Sequence, residues 1–209
     1  MRLVAQVLSV LFHPLLLTTY GTLLLMYINP YAFGGLGLGE HGLLIFQIVL
    51  NSFLFPGLAI FLMWRLQLVS TLQMHDKQQR TLPYIATGVF YLWLYVNIRH
   101  GNFPLALQVF ILGATIGLFV AFFLNIFTKV SMHTVGMGGF VTMLGLVGFY
   151  FGYEGAVSLL PLAVLVAGAI GSSRLLLEAH EPADVYGGYL VGGMGQLLAL
   201  YFLVLRGGS

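Results

Sequence analysis

Long apolar stretches separated by short polar corners make up almost the whole chain. Crossing a bilayer as a helix takes about 20 mostly apolar residues. Seven stretches meet or nearly meet that length: 3–28, 42–64, 83–97, 104–127, 134–153, 157–177 and 185–205. Pro14 predicts a bend in the first, because proline donates no backbone hydrogen bond. Pro182 suits the first turn of the last. The N-terminal stretch runs on too long for a cleaved signal and reads as a retained first span. The pattern predicts an all-α, polytopic transmembrane helix bundle of about six to seven spans, one domain covering 1–209.

The polar corners fall in a regular way. Lys77 and Arg80 follow the second stretch, Ser131 and His133 the fourth, and His180 and Asp184 the sixth. An even number of crossings separates them, so all three corners lie on one face. Grouped ionisable residues in a membrane protein are a functional-site hypothesis by default. Glu154, Arg99 and Arg206 read as ordinary loop residues.

Composition agrees with a lipid-dissolved chain. Only 7% of the 209 residues are charged and 59% are hydrophobic, with mean hydropathy +0.98. A soluble domain carries roughly 25% charged residues. A net charge of +2 without a basic run gives no reason to expect nucleic acid. The absence of cysteine excludes disulfides, thiolate nucleophiles and cysteine–zinc sites. The expected surroundings are the lipid bilayer of a cell (inner) membrane, and association into a homo-oligomer stays open.

One polar corner carries candidate chemistry. Arg174 lies inside an apolar run, where a guanidinium is costly without an anion or partner. Glu178, four residues on, is one candidate partner. His180 and Asp184 are also four apart, one helical turn. A carboxylate beside an imidazole can hold one N–H and leave the other nitrogen free to attack. An arginine within reach can grip a phosphate with two parallel hydrogen bonds. His13 reads as a packing group, and Lys129 as a helix-end lysine whose ammonium reaches toward water. The glycines 187, 188, 192, 193 and 195 suggest close helix packing in the last span.

The run Ser173-Arg174-x5-His180-x3-Asp184-Val185-x-x-Gly188 resembles the third signature motif of the type 2 phosphatidic acid phosphatase superfamily. Ser131-x-His133 is similar to the Ser and His of its Pro-Ser-Gly-His motif, with the Pro and Gly replaced. Arg80, followed by Thr-Leu-Pro83, resembles the Arg-Pro of its first motif; Gln73 stands at the lysine position and Lys77 is out of register. The phosphatase-like region is 73–188. The resemblance implies a metal-independent, cofactor-free hydrolase acting on a membrane lipid phosphate. Phosphatidic acid, phosphatidylglycerol phosphate and polyprenyl pyrophosphate are the candidate substrates. His180 would be the nucleophile, Asp184 its orienting partner and His133 the general acid. Arg174, Ser131, Arg80 and Lys77 would hold the phosphoryl oxygens. Members of the superfamily often work on the outer membrane face, whereas the basic residues counted by face favour the cytoplasm. Two other readings stay open: a small transporter using the cluster as an anion or proton site, and a catalytically silent relative.

Overall fold

The computed structural model describes residues 1–71, 77–101 and 103–206. Gln73, which stands at the lysine position of the first motif, lies outside the described residues. Among the described residues are eight long helices, α1 (Arg2–Leu11), α2 (Pro14–Ile28), α3 (Gly39–Arg65), α4 (Gln78–His100), α5 (Leu105–Leu124), α6 (Met132–Tyr150), α7 (Glu154–Leu176) and α8 (Pro182–Val204), and a short 3-10 turn at Pro30–Phe33. Helices α3 to α8 are each long and apolar enough to cross a membrane, and α1 and α2 add a seventh span if the bent pair is taken as one. The described residues hold no strand. The protein is an all-α multi-pass bundle, as its hydropathy pattern predicts.

The first span differs from the expected bent helix. It breaks into two helices inclined by 59°. Pro14 removes a backbone donor and forces its predecessor out of the helical region. His13 accordingly takes φ −60° and ψ 136°, and its Nδ1 accepts from Leu15 N–H at 3.4 Å. Proline at the first helical position then suits the start of α2. Both ends of α1 stay at one end of the bundle. Arg2 pairs with Glu178 beyond α7, and Ser9 meets His133 at the head of α6. From His13, α2 alone runs to the opposite end, where Ile28 lies against Gly155 at the start of α7. Leu3, Val4, Val7 and Val10 of α1 face outward, while Ala5 and Ser9 are buried against the bundle.

The fourth helix is longer than the 83–97 stretch, because Gln78 to Arg80 form its opening turn ahead of Pro83. Apolar composition does not register such a polar turn.

Helices α6 and α8 are in backbone contact. A side chain on Gly192 would overlap the Val135 carbonyl and stand 2.6 Å from Gly139 N. Gly188 leaves room for Thr134 and for the Ser131 carbonyl. Lipid tails are as apolar as leucine, so membrane helices associate through such close packing rather than through water exclusion. The contact sets the head of α6, with His133, beside the head of α8, with Asp184. Gly187, by contrast, faces open space and takes no part.

Candidate active site

The three polar corners meet around a cavity of about 270 Å³. Its polar end is lined by His13, Arg80, Tyr84, His133, Arg174 and His180. Its inner end, among α2, α4, α5, α6 and α8, is mostly apolar, with Leu17, Phe110, Leu118 and glycines 113, 117 and 139. Six ionisable side chains from five separate segments therefore share one compartment with an apolar extension into the bundle.

His180 sits in the corner between α7 and α8 with its side chain 5% exposed. Its Nδ1 is 3.1 Å from the Lys129 carbonyl and 3.5 Å from Asp184 Oδ2. Both neighbours accept hydrogen bonds, so Nδ1 carries the proton and Nε2 keeps its lone pair. Burial, and after it the guanidinium groups of Arg80 and Arg174, push the imidazole below its ordinary range, against the opposing pull of Lys129 O and Asp184. The group is held neutral, the form that can act as a nucleophile.

Asp184 has local duties besides facing His180. It stands in the first turn of α8, where a carboxylate favours the helix N-terminus. Its Oδ2 accepts from Glu181 N–H at 3.2 Å, and its Oδ1 lies 3.4 Å from the Thr128 hydroxyl. Its backbone carbonyl accepts from Ser131 N–H at 3.2 Å, tying the second motif to the third.

Ser9 of α1, which the sequence reading passed over, organises the opposite wall. Its carbonyl lies 2.9 Å from His133 Nε2 and its hydroxyl accepts from Arg174 Nη1 at 3.2 Å. A carbonyl can only accept, so His133 Nε2 carries a proton and Nδ1 is the nitrogen left to exchange one. Arg174 finds no carboxylate among the described residues, and its Nε is buried without a hydrogen-bond partner there. The alternative partner, Glu178, does not pair with it. Glu178 turns out through a left-handed residue (φ 54°) and its carboxylate binds Arg2 at 2.9 Å on the exposed surface. Arg174 is thus left facing the cavity.

His13, read as a packing group, also lines this cavity. Its ring stands edge-on to His133, centroids 5.7 Å apart. Since Nδ1 accepts from Leu15, Nε2–H is a neutral donor. Its only advance signal was a histidine, rare within apolar spans, directly before a proline.

Two expected phosphate ligands stand elsewhere. Lys77 stretches across to donate to the Phe127 carbonyl at 2.7 Å, beyond the end of α5, while its own carbonyl accepts from Asn125. Ser131 precedes the first turn of α6, wedged against Gly188, with its hydroxyl wholly buried and unpartnered among the described residues. Neither lines the cavity. Lys77 is drawn to exposed carbonyls past a helix end, and Ser131 is sealed in by the glycine contact that joins α6 to α8. Lys129 contributes its carbonyl to His180, a role its side chain could not have signalled. Among the described residues no group of three or more His, Asp or Glu side chains is placed to hold a metal ion.

Compared with known proteins, the chain matches no family model, no curated protein and no solved structure.

Proposed function

We propose that the chain is a membrane phosphatase that hydrolyses a lipid or isoprenoid phosphate through a phosphohistidine at His180. The observation that carries this reading is the His180 imidazole with Nδ1 held by Lys129 O and Asp184, in one cavity with two arginines. The motif resemblance to type 2 phosphatidic acid phosphatases supports the same reading independently of the geometry.

The steps balance without a further reactant. His180 Nε2 attacks phosphorus and the bond to the leaving oxygen breaks. That oxygen takes a proton from Nδ1 of His133, which enters the step as the imidazolium with its Nε2–H on the Ser9 carbonyl and is left neutral. Water then attacks the phosphohistidine, His133 takes a proton from it, and inorganic phosphate leaves. Arg80 and Arg174 neutralise the phosphoryl oxygens throughout, and fixed cations in a desolvated site contribute much of the catalysis in such transfers. The apolar inner half of the cavity receives the first part of the substrate's hydrocarbon tail.

The test is a panel assay with the full chain in detergent. Phosphate release is measured from phosphatidic acid, phosphatidylglycerol phosphate and polyprenyl pyrophosphate. Release from at least one of them, abolished by His180→Asn, is expected. Release that survives this substitution, or none from any of the three, sinks the reading.

A further inference from the structure

Among the polar groups in the cavity wall that the mechanism above leaves unused, one phenol stands at the polar end. Tyr84 on α4 is 6% exposed and lines the polar end beside Arg80, Arg174 and His180. Its hydroxyl is buried and has no hydrogen-bond partner among the described residues. A buried phenol without a partner is costly, and such groups in folded proteins call for an explanation. The ring is held by packing on Phe122, centroids 5.9 Å apart, so the hydroxyl is not free to swing away to water. Arg80 stands four residues earlier on the same helix, hence on the same face.

We infer that the Tyr84 hydroxyl donates a hydrogen bond to the phosphoryl group bound between Arg80 and Arg174. This rests on the phosphatase reading for the identity of its ligand. The two residues expected to complete the phosphate clamp, Lys77 and Ser131, stand outside the cavity. A phosphoryl group presents more lone pairs than two guanidinium groups cover, and it accepts well from a neutral hydroxyl. Tyr84 supplies that donor without adding charge beside His180. It transfers no proton. Its contribution is positional, holding one oxygen while His180 approaches phosphorus from the other side.

Tyr84→Phe removes the hydroxyl and keeps the ring on Phe122. Inorganic phosphate is the probe, titrated calorimetrically into the full-length protein in detergent, with Arg174→Met as the positive control. Thermal stability without phosphate is read alongside. Tyr84→Phe is expected to weaken phosphate binding about tenfold, as for loss of one hydrogen bond to a charged group. Its midpoint of unfolding should stay level or rise, since an unsatisfied buried hydroxyl has been deleted. Unchanged phosphate affinity overturns the inference, and so does an affinity loss accompanied by a large fall in stability. If the wild type binds phosphate but hydrolyses no lipid phosphate, the phosphatase reading fails while the Tyr84 assignment is still decided by the affinities. If the wild type binds no phosphate, both fall.

Discussion

His13 and His133 meet edge to face, their ring centroids 5.7 Å apart and their planes at 80°. One ring sits at the break between α1 and α2, the other in the first turn of α6. Each has a nitrogen engaged by backbone: Leu15 N–H donates to His13 Nδ1, and the Ser9 carbonyl faces His133 Nε2. The remaining nitrogens are a donor on His13 and a proton-exchanging site on His133. With His180, the cavity holds three imidazoles in three different roles.

His13→Asn tests the first of these. Asparagine is a good helix cap, so α2 keeps its start. The imidazole N–H facing the cavity is lost. Turnover of the lipid phosphate is expected to fall by about tenfold or more, within the span of single hydrogen bonds to charged groups. The unfolding midpoint should hardly move. Full activity in His13→Asn would return His13 to a packing role.

His180→Asn and Asp184→Asn should differ in degree. The first removes the nucleophile, and release is expected to fall to background. The second leaves the Lys129 carbonyl still holding Nδ1 at 3.1 Å. A residual rate, reduced about 10²- to 10⁴-fold as for other acid–base partners, is expected. Acid-labile, base-stable phosphate trapped on the protein from a labelled substrate should be found in the wild type and be absent from His180→Asn. Equal residual rates in the two variants would contradict this division of labour.

The pH profile follows from the environment of His180. Its imidazole is held below the ordinary 6.5 by burial first, then by Arg80 and Arg174. The neutral ring is the attacking form. Activity is therefore present above the folded pKa and lost as pH falls through it. Arg80→Met removes one opposing cation, so the pKa rises and the acid limb of kcat/KM should move to higher pH. A limb that stays put, or moves to lower pH, would mean that another group sets it.

Packing makes a prediction free of any functional assumption. Gly192→Ala places a methyl group into the Val135 carbonyl and 2.6 Å from Gly139 N, where only backbone could yield. A loss of about 1–3 kcal/mol or more is expected, as for overpacked cores. Gly187→Ala, which enters open space, should be tolerated. Thermal unfolding in detergent separates the two, and equal stability would mean that α6 and α8 are not in backbone contact.

The sequence by itself determined the apolar spans, a bend at Pro14, the start of α8 at Pro182, and the gathering of three polar corners at one end. It also determined the nearness of His180 to Asp184. All of these are local consequences. Span length follows from bilayer thickness, a proline acts on its own turn, and four residues make one turn of helix. Tertiary structure alone decided which distant groups meet. Glu178 left Arg174 for Arg2, Ser9 came to hold both His133 and Arg174, and His13 and Tyr84 entered the cavity while Lys77 and Ser131 stood outside it. Those outcomes depend on how closely whole helices approach and how they are rotated. Here α6 and α8 close on Gly188 and Gly192, and spacing along the chain does not encode which side chains that contact seals in and which it leaves facing the cavity.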